Sequence, residues 1–299
     1  MPVSSGVFLF AEERDKRKYI IFDENDVLLK HMKRAIELTI IILISVLYGT
    51  VAAQSSDPFQ IRKWTIGDQQ REAIVYIPAS AKDKPSPVIF VFHGHGGNMK
   101  NMFEAHRFDK LWPDAIVVAP QGLPTPGQLL DREGKLAGWQ KGPGDMGDRD
   151  IHFFDEIFSS LQTEYQIDIK RIYATGHSNG GSFTYLLWAM RADVFAAVAP
   201  SAAVAFRFND LLKPKPVMHI MGEADPLVKP AWQQMQVAKL LKLNNCSTSG
   251  EPYGSFSTIY PSAQGDPVVV YKHPGGHTYP ADANAVVVRF FKSVSKGVN

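Results

Sequence analysis

From about residue 57 onward, continuous apolar runs alternate with stretches in which apolar residues recur every three to four positions. The first pattern predicts buried strands and the second predicts amphipathic helices. Strands are predicted at residues 73–78, 86–94, 114–122, 170–176, 195–203, 215–222 and 267–273, and helices at residues 151–165, 180–190, 231–243 and 283–296. Alternation at this spacing predicts an α/β fold with a mostly parallel central sheet and helices on both faces.

The chain before residue 57 follows a different pattern. Lys33 and Arg34 precede an uncharged, mostly apolar segment at residues 38–48, and the small residues 51–53 stand before Gln54. This order is typical of a secretory signal peptide. The apolar segment is also shorter than the roughly 20 residues that a membrane-spanning helix needs. We therefore expect a secreted or periplasmic protein that has no membrane association once the signal peptide is cleaved.

The expected division of the chain follows from this segment. The charged stretch EERDKRK lies where a signal peptide would begin if Met1 were the first residue, so we expect translation to start at Met32. The predicted parts are a non-native N-terminal extension (1–31), a signal peptide (32–53) and a single α/β domain (54–299). The alternative is an uncleaved membrane anchor that leaves residues 1–31 in the cytoplasm.

Composition narrows the range of partners. The net charge is +2, 45% of the residues are hydrophobic, and no stripe of basic residues is present. These values are typical of a globular protein and predict no nucleic-acid partner. Cys246 is the only cysteine, which excludes a disulfide within the chain and a cysteine-based zinc site.

The sequence GHSNG at residues 176–180 matches the pattern G-x-S-x-G and stands between a predicted strand and a predicted helix. In this context the pattern is typical of a nucleophile elbow, a sharp turn that projects a serine hydroxyl above a sheet. The glycines remove side chains that would collide with neighbouring strands. We predict Ser178 as a catalytic nucleophile. The alternative is a serine that caps the N-terminus of the next helix.

A nucleophilic serine needs a base and an acid, and the G-x-S-x-G fold supplies them in the order serine, acid, histidine. Asp225 follows the strand predicted to end at residue 222, and His277 lies in a glycine-rich loop after the last predicted strand. We predict these two residues as the acid and the base. His273 is a rival base, and Asp193 or Asp210 is the alternative acid.

A second glycine-rich loop, HGHGGN at residues 93–98, follows an early predicted strand. Such a loop supplies one backbone N–H of an oxyanion hole, and the residue after the nucleophile supplies the other. We predict the N–H groups of His95 and Asn179 in this role. The alternative, a metal pair formed by His93 and His95, lacks the further ligands that a catalytic zinc requires. We therefore expect no metal and no cofactor.

Residues 123–150 are rich in glycine, proline and charge, and we predict a long loop there. Loops of this length in compact domains are usually functional or disordered. Trp139 lies in this loop, Trp232 follows the predicted acid, and Tyr279 follows the predicted base. Aromatic faces bind sugar rings or phenolic groups with little loss of entropy, so we predict all three as substrate-binding residues. Alternatively, Trp139 packs the loop against the domain.

With these residues identified, the chain resembles the α/β-hydrolase family of secreted polyhydroxybutyrate depolymerases, feruloyl esterases and acetylxylan esterases. The resemblance rests on VFHGHGGN, GWQKGP, RIYATGHSNGG, FAAVAPSAA, GEADPLV and GGHTYP, in that order. It implies the α/β-hydrolase fold over residues 60–295. It also maps Ser178, Asp225 and His277 onto the family's catalytic triad, and His95 and Asn179 onto its oxyanion donors. Many relatives carry cysteines after the GP of GWQKGP, where this chain has glycine and aspartate.

The resulting hypothesis is a secreted serine carboxylic-ester hydrolase that works through an acyl-enzyme. The expected substrate is a polymer-linked ester, either a feruloyl or acetyl ester of a polysaccharide or a polyester of the polyhydroxybutyrate type. Two alternatives remain open. One is a serine peptidase of the same fold, and the other is a non-catalytic binding protein of the cell envelope.

Overall fold

A ten-stranded sheet forms the centre of the chain after Asp57. The computed structural model describes residues 28–36, 39, 59–127 and 131–297. The strands are β1 (Phe59–Ile66), β2 (Gln69–Tyr76), β3 (Ser86–Phe92), β4 (Ile116–Pro120), β5 (Leu123–Pro124), β6 (Ala137–Gly138), β7 (Ile167–His177), β8 (Ala197–Ser201), β9 (Val217–Gly222), β10 (Glu251–Gly254), β11 (Ser257–Tyr260) and β12 (Val268–His273). Their order in the large sheet is β1-β2-β4-β3-β7-β8-β9-β12-β11-β10, and β5 and β6 pair separately.

Helices cover both faces of this sheet. They are α1 (Met99–His106), α2 (Phe108–Leu111), α3 (Arg149–Glu164), α4 (Asn179–Met190), α5 (Pro230–Leu243) and α6 (Ala283–Ser293). Residues of α3, α4 and α5 contribute to one buried apolar cluster, and residues of α1, α2 and α6 contribute to the other. The predicted α/β architecture with helices on both faces is therefore confirmed.

Strand β3 illustrates why the central strands are largely apolar. Phe90 and Phe92 point into the cluster with α3 and α4, whereas Ile89 and Val91 point into the cluster with α1 and α6. Successive side chains of a strand face opposite sides of the sheet, so a strand covered on both sides needs apolar residues at every position. Every residue of β3 is buried.

All seven predicted strands and all four predicted helices occur, with ends that differ by a few residues. Strands β1, β5, β6, β10 and β11 and helices α1 and α2 were not predicted. The missed strand β1 alternates between half-buried and exposed residues and pairs antiparallel with β2 at the sheet edge. A strand with one solvated face carries polar residues, so it lacks the continuous apolar run by which the central strands were recognised.

The N-terminal region is described only in part. Residues 28–36 and 39 are helical and exposed. The predicted cleavage region at residues 51–53 and most of the apolar segment before it lie outside the described residues. Within the described ranges, no helix combines the length and the apolar character that crossing a bilayer requires.

Three parallel strands bring the candidate site together. β7 and β9 both pair parallel with β8, and β12 pairs parallel with β9. The carboxyl ends of these strands therefore lie at the same edge of the sheet, where ligand sites of open α/β sheets occur. Ser178 directly follows β7, Asp225 lies shortly after β9, and His277 lies shortly after β12.

The predicted long loop at residues 123–150 contains the short β5–β6 pair and one 3-10 turn. Its last residue, Asp150, is fully buried in the first turn of α3. The Asp150 carboxylate accepts a hydrogen bond from the Gln140 N–H at 2.9 Å and pairs with the buried Arg71 guanidinium at 2.8 Å. One end of the loop is thus attached to the core by a buried ion pair.

Candidate active site

Ser178 occupies a strained turn between β7 and α4. Its backbone lies at φ 55° and ψ −116°, a conformation that non-glycine residues rarely adopt. A Cβ on Gly176 would lie 2.5 Å from the carbonyl oxygen of Gly180, and a Cβ on Gly180 would collide with the carbonyl oxygen of Phe92. The glycines therefore allow the strand and the helix to approach closely enough for this turn, as a nucleophile elbow requires.

The structure brings Ser178, His277 and Asp225 together in one hydrogen-bonded chain. The Ser178 Oγ lies 2.8 Å from Nε2 of His277. Nδ1 of the same ring lies 2.9 Å from Oδ2 and 3.1 Å from Oδ1 of Asp225. In this arrangement the Nδ1–H donates to the carboxylate, and Nε2 is left to accept the serine proton. This geometry can activate a serine hydroxyl as a nucleophile.

Asp225 is held as a buried carboxylate by several donors. Its side chain is fully buried, and Oδ1 accepts from the backbone N–H groups of Leu227 and Val228, both at 2.9 Å. Oδ2 accepts from Nε2 of Gln233 at 3.2 Å. Buried charges are costly unless they are hydrogen-bonded, and these donors compensate for the burial of the Asp225 carboxylate next to His277.

Gln233 was not among the residues predicted from the sequence. The residue is fully buried on the inner face of α5, three positions before the equally buried Gln236. A polar side chain at a position where the helical pattern expects an apolar one was the available signal. Its partner across the fold could not be read from that pattern.

The rival base, His273, has a different role. It is buried at the end of β12, and its Nδ1 accepts a hydrogen bond from the N–H of Gly275 at 3.1 Å. Burial lowers the pKa of His273. The ring thus stabilises the turn that leads to His277 and does not contact Ser178.

A further histidine, His177, lies directly beside the candidate base. The centroids of its ring and the His277 ring are 4.8 Å apart. Burial, and second the nearby His277, lower the pKa of His177 to about 4. The ring is therefore neutral near pH 7, and it adds no positive charge next to the position where the Ser178 proton would move.

The loop at residues 93–98 passes next to Ser178. A Cβ on Gly94 would lie 3.6 Å from the Ser178 Cβ. The two histidine rings of this loop have separate partners. Nε2 of His93 accepts from the N–H of Gly122 at 2.9 Å, and Nε2 of His95 lies 3.1 Å from Oδ2 of Asp131. These contacts fix the loop whose backbone was predicted to face the oxyanion.

Asn179, the other predicted oxyanion donor, is the first residue of α4. Its side chain binds the backbone of Trp139 in both directions. Oδ1 accepts from the Trp139 N–H at 2.7 Å, and Nδ2 donates to the Trp139 carbonyl at 3.0 Å. The residue after the nucleophile therefore anchors the long loop, while its own backbone N–H lies at the N-terminus of the helix beside Ser178.

A cleft of about 470 Å³ opens at Ser178. Its lining includes His95, Asn179 and His277 together with apolar side chains of Phe206, Leu227 and Trp232. Trp232 is 40% exposed, so one of the three predicted aromatic contacts is available to a ligand. The cleft also includes Lys141 and Arg207, which the sequence analysis did not single out.

Two of the predicted substrate contacts, Trp139 and Tyr279, do not line the cleft, and for Trp139 complete burial contradicts the prediction. Trp139 is completely buried, stacks on Phe183 with centroids 5.1 Å apart, and donates from Nε1 to the His93 carbonyl at 2.8 Å. It packs the loop against the domain. The Tyr279 hydroxyl lies 3.1 Å from Oγ1 of Thr175, and its ring packs on His106. The Trp139 ring therefore lies in the interior, and the half-buried Tyr279 ring packs against the apolar cluster that contains α1 and α6.

Known proteins resemble the chain in sequence and in fold. A model of the prolyl oligopeptidase family matches residues 137–207. Feruloyl esterase C of Emericella nidulans is 30% identical over 226 residues, which make up 69% of this chain and 76% of that protein. The bifunctional acetylxylan esterase/xylanase XynS20E of Neocallimastix patriciarum is 32% identical over 115 residues, or 36% of this chain and 17% of that enzyme. The structure of acetyl xylan esterase from Aspergillus awamori matches with a TM-score of 0.56 at 13% identity, over 78% of this chain and 99% of that one.

Proposed function

Because this chain belongs to the α/β-hydrolase family of the feruloyl and acetylxylan esterases, and is thus a carboxylic ester hydrolase, we propose that it works as a serine esterase through an acyl-enzyme. The observation that carries the proposal is the hydrogen-bonded chain from Ser178 through His277 to Asp225, which opens into a cleft. In this proposal Ser178 is the nucleophile, His277 the general base and Asp225 the acid that orients the base.

The reaction proceeds in two halves. In the first, Oγ of Ser178 attacks the ester carbonyl while its proton moves to Nε2 of His277. The tetrahedral intermediate places its negative charge towards the backbone N–H groups of His95 and Asn179. When the intermediate collapses, the alcohol leaves with the proton from His277. In the second half, water attacks the acyl-enzyme by the same route and the carboxylic acid is released.

The proposed substrate is a polymer-linked ester, in the first place a feruloyl or acetyl ester of a polysaccharide. The names of the relatives and the exposed indole of Trp232 in the cleft support this class. A polyester of the polyhydroxybutyrate type is the alternative substrate. We further propose that residues 32–53 are a cleaved signal peptide and that residues 54–299 act outside the cytoplasm. The exported protein would then begin at Gln54, which mass spectrometry of the intact protein tests.

A serine peptidase is the second candidate, favoured by the match of residues 137–207 to the prolyl oligopeptidase family. The two functions share the nucleophile, so a fluorophosphonate probe that labels the wild type and not Ser178→Ala supports either one and rejects a non-catalytic binding protein. Substrates then separate them. We expect hydrolysis of feruloyl and acetyl esters, a loss of roughly 10⁶ in kcat for Ser178→Ala, and no cleavage of peptide amides. Peptide cleavage at comparable kcat/KM would favour the peptidase.

A further inference from the structure

A chain of buried polar side chains continues behind the predicted acid. The Gln233 amide Nε2 donates to Oδ2 of Asp225 at 3.2 Å and to the Val228 carbonyl at 2.7 Å. Behind it lies His219 of β9, whose Nδ1 is 2.7 Å from the hydroxyl of Tyr185 on α4. Gln233, His219 and Tyr185 are all 0% exposed. Three polar residues from three elements thus meet in the core, next to the acid.

The remaining polar atoms of Gln233 and His219 can pair as acceptor and donor. Oε1 of Gln233 and Nε2 of His219 are both buried, and neither meets strict hydrogen-bond geometry with any other atom in the described part of the chain. Burial lowers the pKa of His219 to about 4, and the contact with Gln233 partly raises it again, so the Gln233 amide lies next to the ring. At neutral pH the ring therefore carries one N–H and one bare nitrogen.

The charge on Asp225 determines which atom donates and which accepts in each of these contacts. A carboxylate only accepts hydrogen bonds, so the amide of Gln233 must turn its NH₂ group towards Asp225 and its Oε1 away from it. Oε1 is an acceptor and needs a hydrogen-bond donor, so Nε2 of His219 must be the protonated nitrogen. Nδ1 is left bare and accepts from the Tyr185 hydroxyl. The opposite tautomer would place two acceptors, Oε1 and Nε2, against each other.

We propose that Gln233, itself oriented by His219 and Tyr185, is a positioning residue that fixes the rotation of the Asp225 carboxylate for the reaction. This inference rests on the proposed function, because it assigns Gln233 a role only through Asp225 and His277. Gln233 does not line the cleft and so has no direct contact with substrate.

The distribution of donors on Asp225 explains why one glutamine matters. Oδ1 is held by two backbone N–H groups, those of Leu227 and Val228. Oδ2, which lies closest to Nδ1 of His277, has Gln233 as its other donor among the described residues. Without that amide, Oδ2 keeps only His277 as a partner among the described residues, so the plane of the carboxylate and the orientation of the base are less firmly fixed.

The test compares Gln233→Leu with Gln234→Leu, the same substitution at the neighbouring exposed position of α5. The substrate is p-nitrophenyl acetate. Hydrogen bonds to charged groups are worth enough that their loss from the transition state lowers rates by roughly 10- to 100-fold. We expect kcat to fall by this factor in Gln233→Leu with KM within about twofold of wild type. Gln234→Leu should match the wild type in both constants.

A double-mutant cycle distinguishes positioning from a general structural defect. Gln233 is proposed to act through the charge of Asp225, so Gln233→Leu should lower kcat by less than about twofold when Asp225→Asn is already present. Tyr185→Phe is a conservative substitution that removes only the hydroxyl that donates to His219, so the His219 tautomer is no longer fixed and kcat should fall by about threefold or more. This variant serves as the test if Gln233→Leu does not fold.

Two outcomes would overturn the proposal: a kcat of Gln233→Leu within twofold of wild type, or full additivity with Asp225→Asn. If Gln233→Leu does not fold, a wild-type kcat in Tyr185→Phe overturns it. Failure of the proposed function gives a different result. In that case Ser178→Ala retains activity or the wild type hydrolyses no ester, whatever the Gln233 variants do.

Discussion

Replacing Trp139 with alanine should weaken the fold rather than substrate binding. The indole is completely buried, stacks on Phe183, meets the Phe92 ring edge-on with centroids 5.3 Å apart, and donates to the His93 carbonyl. Truncation of a buried tryptophan to alanine costs about 3–5 kcal/mol of unfolding free energy. The two aromatic contacts and the hydrogen bond account for a large part of that value.

The matched variant is Trp232→Ala, which removes the same side chain from the cleft wall. About 40% of the Trp232 surface is exposed. An indole buries up to about 250 Å², so a flat acyl group that covers half of the exposed part removes about 50 Å² from water. At about 25 cal/mol per Å² this is worth about 1.3 kcal/mol, or close to tenfold in binding. The KM for feruloyl esters should rise by roughly that factor, and the KM for acetyl esters should not.

Two assays should separate the variants, because each variant should change one assay and leave the other unchanged. In urea unfolding, the midpoint of Trp139→Ala should fall by more than 1 M, given a slope of about 2–3 kcal/mol per M, whereas Trp232→Ala should stay within about 0.5 M of wild type. In steady-state kinetics, only Trp232→Ala should change the ratio of the feruloyl and acetyl KM values. A Trp139→Ala protein that keeps the wild-type midpoint and loses feruloyl binding selectively would refute the assignment of this residue to the core.

Two further predictions concern the acid and the response to pH. Asp225→Asn should fold normally and lose about 10⁴ in kcat; a wild-type rate would move the role of acid to another residue. Burial lowers the pKa of His219 to about 4, below the value of about 6.5 in the unfolded chain, so protonation favours unfolding. The stability that His219 contributes is therefore present above about pH 6.5 and is lost as the pH falls towards 4. Urea midpoints measured from pH 4.5 to 7.5 should rise up to about pH 6.5 and then level off; a midpoint that stays constant below pH 6.5 would contradict this.

The central part of the fold could be predicted because burial on both faces leaves a direct trace in the sequence. In β3 every residue after Ser86 is apolar, and the helices between the strands have one apolar face. Strands β10 and β11, at one end of the sheet, contain exposed and half-buried residues. Their apolar character is too weak for a pattern, since pairing with a neighbouring strand rather than burial on both faces holds them in place.

The candidate site likewise contains some residues that could be predicted from the sequence and others that could not. Ser178, Asp225 and His277 could be expected to meet, because strand order and loop position determine where the carboxyl ends of parallel strands lie. Gln233 and His219 could not be assigned, because a buried polar residue has meaning only once its partner from another element is known. The residues next to Trp139 in the sequence are the same whether its ring faces a ligand or the core, and only the packing in the structure decides between these positions.

Three polar side chains hold the long loop at residues 123–150 beside the candidate site. Asn179 binds the Trp139 backbone, Asp131 contacts His95, and Asp150 joins the loop to α3. These contacts connect the loop to the helix that follows Ser178 and to the glycine-rich loop beside it. The conformation of the loop is therefore coupled directly to the groups proposed to receive the oxyanion, so loss of an anchor should disturb catalysis before it disturbs the core.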